Sequence, residues 1–156
     1  MKIEDLFEAK KPSPDWAQKE QAEFATFVKQ FGMQLMTRKV EHRAPDQWMI
    51  GGDIKDTDKS QHISLPIEMR FKALKKGLSH YLLDKAKDAY PNRYVKLISN
   101  PRGWRTSPHY IQHDDSPIQV ERIVDDVVHQ DRYRDQSLKL GQWTTYVHWS
   151  ISEPKS

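Results

Sequence analysis

The stretch QHISLPIEMRFKALKKGLSHYLLDKA, residues 61–86, decides the fold, because its reading sets where a sheet gives way to a helix. From His62 to Phe71 the residues alternate. Ile63, Leu65, Ile67, Met69 and Phe71 fall on one side, and His62, Ser64, Glu68 and Arg70 on the other. A period of two is that of a half-buried strand. From Lys72 the period lengthens: Leu74, Leu78, Leu82 and Ala86 form one stripe of a helix running to about Ala89, and Tyr90-Pro91 ends it.

Upstream, Gln47–Lys55 alternates in the same way, with Trp48, Ile50 and Ile54 on one face and Met49, Gly51, Asp53 and Lys55 on the other. The polar run Asp56-Thr57-Asp58-Lys59 is the expected turn into the strand at His62. Met33–Glu41 reads as an earlier strand. Before it, Pro14–Phe31 reads as a helix, with Ser13 as N-cap, Pro14 at the first helical position, Gly32 as the stop, and Phe24, Phe27, Val28 and Phe31 facing the core. Downstream, Tyr94–Ser99 and Trp104–Gln112 form a hairpin around Asn100-Pro101-Arg102-Gly103. Asp115-Ser116-Pro117 opens a third helix with Ile118, Ile123, Val124 and Val127 inward, and Gln142–Ser152 is the last strand. The order is α-β-β-β-α-β-β-α-β. It predicts a single α+β domain over residues 13–156 with a mixed central sheet, behind a flexible leader of residues 1–12.

Composition narrows the classes of function. The chain has 156 residues, of which 30% are charged and 37% hydrophobic, the balance of a globular domain. No apolar run approaches a membrane span, and the N-terminus lacks the basic-then-apolar pattern of a signal peptide. An intracellular protein with no membrane partner is expected. With no cysteine, disulfide scaffolds, thiolate zinc sites and cysteine nucleophiles are excluded. The net charge of +3 is unevenly spread. Residues 66–112 hold ten Lys or Arg against three Asp or Glu, a net of +7, so the remainder is −4. Basic residues set among Tyr81, Tyr90, Tyr94 and Trp104 suit a polyanion, because phosphate contacts release counterions.

On adjacent strands, Asp53 and Glu68 would stand side by side. Two carboxylates and a backbone carbonyl can hold a hard cation such as magnesium, which activates water and shields developing phosphate charge. Arg70, two residues from Glu68 on the same strand face, would add stabilisation to the transition state. Over residues 14–100 this pattern resembles the PD-(D/E)XK, or restriction-endonuclease-like, superfamily, carried by Gly52-Asp53 and PIEMRFKALKKG. The resemblance implies an αβββαβ core and a nuclease acting on DNA phosphodiesters with Mg2+ or Mn2+. Asp53 and Glu68 would be its metal ligands. Arg70 stands where the family has lysine and cannot titrate as a base, so Lys72 is the substitute. His80 takes the place of the polar residue on the following helix. Glu23, with Glu20 second, matches the glutamate that some members supply from the first helix. Lys75, Lys76, Arg93, Lys96, Arg102 and Arg105 would follow the phosphate backbone, and a homodimer is compatible with the family.

Two other readings compete. His62-Ile-Ser64-Leu and His148-Trp-Ser150-Ile resemble the paired motifs of two-histidine phosphoesterases, in which the histidines act as general acid and base on small nucleotides. Without that role, His148 is an outward-facing strand residue between Tyr146 and Ser150. Leu6-Phe7-Glu8-Ala9 resembles the capsid-targeting tags that a prohead protease of tailed bacteriophages cuts. That resemblance implies packaging in a phage head. It suits a non-enzymatic virion or host-takeover protein that binds DNA or a host factor.

Overall fold

The computed structural model describes residues 13–36, 40–44, 47–56, 67–88, 94–98, 109–128 and 144–152. The expected turns at 56–59 and 100–103, most of the strand expected from His62 and residues 104–108 of the one from Trp104 lie wholly or largely outside them. In chain order the elements are helix α1 (Asp15–Lys29), strands β1 (Met33–Leu35), β2 (Glu41–Ala44) and β3 (Gln47–Asp56), helix α2 (Ile67–Asp88), strands β4 (Val95–Ile98) and β5 (His109–Ile111), helix α3 (Pro117–Val127) and strand β6 (Thr144–Ser152). The sheet runs β1-β3-β6-β4-β5, with β2 also on β3. Every pairing between described strands is antiparallel, so the sheet is not mixed as expected. The strand order also differs from a meander of the first three strands, because β6, from the far end of the chain, lies between β3 and β4.

The α-β-β-β-α-β-β-α-β string holds, but for a different reason. Residues 67–71 are the first turn and more of α2, not the end of a strand. Over five residues, alternation at Ile67, Met69 and Phe71 competes with helical spacing at Ile67, Phe71, Leu74 and Leu78. The helical stripe wins because it continues for five turns, through Leu82 to Ala86. Met69 is accordingly 53% exposed while Phe71, Leu74, Leu78, Leu82 and Ala86 are buried. The run is also rich in good helix formers, and a proline directly before the first turn is a helix-start signal. The missing strand is replaced by a break in the one expected at Met33–Glu41. Leu35 stands opposite Ile54 and Glu41 opposite Met49, so six steps along the edge face five along β3. One extra residue of this kind is the signature of a bulged, interrupted edge.

Alternation along the paired strands puts Trp48, Ile50 and Ile54 of β3, Val147, Trp149 and Ile151 of β6, and Val95 and Leu97 of β4 on one face, all buried. Helices α1 and α2 cover it: Phe24 and Tyr81 each meet the Trp149 ring edge-on, at 5.9 and 6.1 Å between centroids. Helix α3 packs on α2 through the Val120, Val124 and Val127 stripe. Its start is as the sequence indicates: Ser116 and Gln119 form a reciprocal capping box, with proline at the first helical position. Two details differ. Ile118 is 63% exposed, and Val120 takes the inward place. Pro14, not Ser13, is the N-cap residue of α1, and Ser13 Oγ instead accepts from the Gln18 side chain at 2.9 Å. Gly32, at φ 72°, ends the helix as expected.

Beside this packing, a buried amide ties α1 to the sheet. Gln21 Oε1 accepts from the Gly51 N–H at 2.8 Å, and its Nε2 donates to the Gly51 carbonyl at 3.3 Å. Gln21 thereby gives the middle of β3 the pair of bonds that a neighbouring strand would supply. Gly51 has φ +101°, and a Cβ there would collide with the Val147 carbonyl oxygen. Gly77 serves packing instead: a Cβ on it would come within 2.7 Å of the Phe31 ring, so its absence lets α2 lie close to the end of α1.

Gly51→Ala is expected to cost about 3 kcal/mol or more, combining a left-handed backbone with a steric clash. Gln21→Ala should cost about 2 kcal/mol, by orphaning two buried backbone groups. Urea unfolding measures both, and an alanine at position 51 as stable as the wild type would contradict this geometry.

Candidate nucleic-acid interface

The sequence-derived metal site does not assemble as a strand-face pair. Glu68 is the second residue of α2, and its side chain lies outside the described ones. Arg70 is two residues on, and two helical residues point roughly 200° apart, so they do not share a face as strand neighbours would. Arg70 is buried, and Lys72 and His80 are exposed on the same helix. Asp53 is exposed on β3, directly opposite Tyr146 of β6. Its neighbour Ile54 points into the helix-covered core, which places Asp53 on the other face of the sheet. The sheet therefore separates Asp53 from Glu23 and His80 in the helix layer. Among the described residues, no group of three or more His, Asp or Glu is arranged to hold a metal ion.

Glu23 has a different task. Together with Glu20 it grips Lys85 of α2, at 3.0 and 2.9 Å. The Lys85 ammonium also lies 5.4 Å from the centre of the Tyr81 ring, which stacks on Phe27. Burial works against the charge on Lys85, but hydrogen bonds to the two glutamates and their field outweigh it and hold its pKa above the ordinary lysine value. Burial first, and then Glu23 and Glu20, push the Tyr81 phenol far above its usual range. This cluster clamps α1 to α2.

The lysines of α2 are likewise partly committed. Lys72, Lys75, Lys76 and Ser79 line one wall of a cleft of about 430 Å³ whose other wall carries Glu121 and Asp125 of α3. Lys75 is paired with Asp125 at 2.9 Å and lies 5.2 Å from the centre of the Phe71 ring. A groove with both signs of charge attracts a polyanion weakly.

The face turned away from α1 and α2 has another character. Register places Asp53 and Lys55 of β3, Tyr146, His148 and Ser150 of β6, Lys96 of β4 and Tyr110 of β5 on it, with Tyr94 just before β4. Its centre is closed: Met49, His148 and Ser150 are buried. His148 is thus not the solvent-facing residue its strand position suggested. Its Nδ1 bonds the Tyr146 hydroxyl, and on β3 it stands opposite Gly51. Ser150 Oγ is buried and has no hydrogen-bond partner among the described residues, so His148 does not activate it. His62 and Ser64, the other half of the phosphoesterase pattern, lie outside the described residues, as do Arg93, Arg102, Arg105 and the Leu6–Ala9 leader.

At the β4–β5 end the face opens. Tyr94 and Tyr110 are 38% and 47% exposed, and their rings meet edge-to-face at 5.1 Å and 72°. Lys96 stands directly opposite Tyr110 and beside Ser150 in register, two residues from Tyr94. Sequence reading marked Tyr94 and Lys96 but missed Tyr110. The expected hairpin of Tyr94–Ser99 with Trp104–Gln112 could have brought it in once paired in register, because strand parity then puts all three on one face. No protein-family model, curated protein or solved structure matches the chain.

Tyr146→Phe should lower stability by about 1 kcal/mol, because the buried His148 loses a hydrogen-bond partner. Asp53→Asn should change it by less than about 0.5 kcal/mol, as an exposed side chain away from the core. Denaturant unfolding of the two variants distinguishes a buried polar pair on β6 from an exposed carboxylate on β3.

Proposed function

We propose that the protein binds nucleic acid along the β4–β5 end of its sheet. The observation that carries this reading is the spread of charge along the sequence, set beside the ion pairs made by α2. Residues 89–113 contain Arg93, Lys96, Arg102 and Arg105 and no Asp or Glu, and the stretch is folded back on itself by the β4–β5 pairing. On α2, by contrast, Lys75 and Lys85 are held in ion pairs with Asp125, Glu20 and Glu23. A field that attracts phosphate therefore has its support at the hairpin rather than along the lysine-rich helix. Four aromatic residues in the same stretch, Tyr90, Tyr94, Trp104 and Tyr110, fit the composition of nucleic-acid-binding surfaces. Among the described residues no helix is long and apolar enough to cross a membrane, and nothing in this reading calls for one.

Four phosphate contacts correspond to a slope of about −3 to −4 in log K against log salt. Fluorescence anisotropy of a labelled oligonucleotide between 50 and 300 mM salt should give a slope of about that size. Lys96→Gln and Arg105→Gln should each weaken binding and lower the slope by about one. Binding that ignores salt, or is unchanged in both variants, would contradict the proposal. The same samples, incubated with magnesium or manganese and with EDTA, test for phosphodiester cleavage. Metal-dependent cutting that disappears in both Asp53→Ala and Glu68→Ala would assign the chain a nuclease activity in place of simple binding.

A further inference from the structure

We infer that the nucleic acid taken by this face is single-stranded, with bases stacked on Tyr110 and Tyr94 and the backbone running past Lys96. The inference rests on the proposed nucleic-acid binding and adds the state of the strand. It starts from an unusual placement of apolar surface. Tyr110 and Tyr94 leave 47% and 38% of their surface in solvent although a core lies on the opposite face of the same strands. Their edge-to-face contact, at 5.1 Å and 72°, holds the two rings against each other at the surface. Neighbouring strands are about 4.8 Å apart, which brings a ring on β5 and a ring beside β4 within the reach of consecutive unstacked bases.

A duplex cannot use such a surface. Its base faces are hidden in the stack, and it offers only phosphates and groove edges, which are read by an inserted helix or a protruding ribbon. Helices α1 and α2 lie on the other side of the sheet, against Trp149. In a single strand the base faces are available, every base has one, and aromatic stacking is tolerant of sequence. The charge of the hairpin complements the occupant: residues 89–113 supply four cations and no carboxylate. The shared chemistry is an unpaired base on a phosphodiester backbone, common to DNA and RNA.

The test is anisotropy of the full chain with three labelled probes at one salt concentration: a twelve-residue oligo-dT, the matching oligo-U and a twelve-base-pair duplex. Single strands should bind at least about tenfold tighter than the duplex. Tyr110→Ala should weaken single-strand binding about ten- to a hundredfold, as expected for a lost stacking contact, while Tyr110→Phe stays within about twofold. The salt slope should be the same in Tyr110→Ala as in the wild type, because the phosphate contacts are untouched. Tyr94→Ala gives a second, independent loss. All three substitutions are at exposed positions, and melting curves check that they fold. A preference for the deoxy or the ribo strand, in either direction, supports the inference and names the source. Equal affinity for duplex and single strand, with no change in Tyr110→Ala, overturns it while leaving salt-dependent binding of nucleic acid in place. Failure of every probe to bind at low salt overturns both. Concentration-dependent dimerisation that Tyr110→Ala abolishes overturns it as well, by making the tyrosines a contact between two copies of the chain.

Discussion

One side-chain amide holds the architecture together. The edge strand on the β2 side of β3 is interrupted, and Gly51 sits in the middle of β3 with a backbone conformation that ordinary residues resist. Its N–H and carbonyl are met by Gln21, buried on α1. An unpaired backbone group in such a place costs about 1–3 kcal/mol, so two together would be a large share of a domain's net stability. The bond also sets geometry. With Gln21 fixed over Gly51, Phe24 comes to rest on Trp149 one turn later, and Val28 follows into the core. Helix α2 is then drawn onto the same side by the Glu20, Glu23 and Lys85 cluster and by the close pass at Gly77. Both long helices end up on one face of the sheet, and the other is left to polar and aromatic residues.

That division of labour shapes the charge distribution. Lys75 and Lys85 of α2 lie next to carboxylates of α3 and α1, and a charge consumed in this way contributes little to attracting a distant anion. The β4–β5 hairpin has no carboxylates in its own sequence to consume its cations. Charge counted by sequence window ran these two populations together, since residues 66–112 contain α2 and most of the hairpin. Only the ion pairs of Lys75 and Lys85 separate them.

Much of the fold was legible where periodic signals are long or chemically specific. The buried stripe Leu74, Leu78, Leu82 and Ala86, the alternation of Trp48, Ile50 and Ile54, and the start of a helix at Asp115-Ser116-Pro117 all stand as read. The failures have two causes. Ile67, Met69 and Phe71 fit both a period of two and, in part, a period of 3.6, and five residues are too few to separate them. Placing β6 between β3 and β4 depends on partners roughly fifty to a hundred residues apart, for which no local pattern exists. The paired carboxylates Asp53 and Glu68 inherited the first error directly: their adjacency assumed that residues 67–71 were a strand. The buried His148 escaped notice in part for the second reason, since β3 and β4 flank it, although its partner Tyr146 is on its own strand.

The most direct measurement of the central claim is a map of backbone amide shifts on adding oligo-dT to the isotope-labelled chain. The proposed binding mode predicts that Tyr94, Lys96, Tyr110 and Ile111 move together and saturate at one concentration, while Lys72, Lys76 and Ser79 on α2 stay still. Shifts confined to the cleft between α2 and α3, with the β4–β5 end silent, would contradict it and return the nucleic-acid interface to the lysine-rich helix.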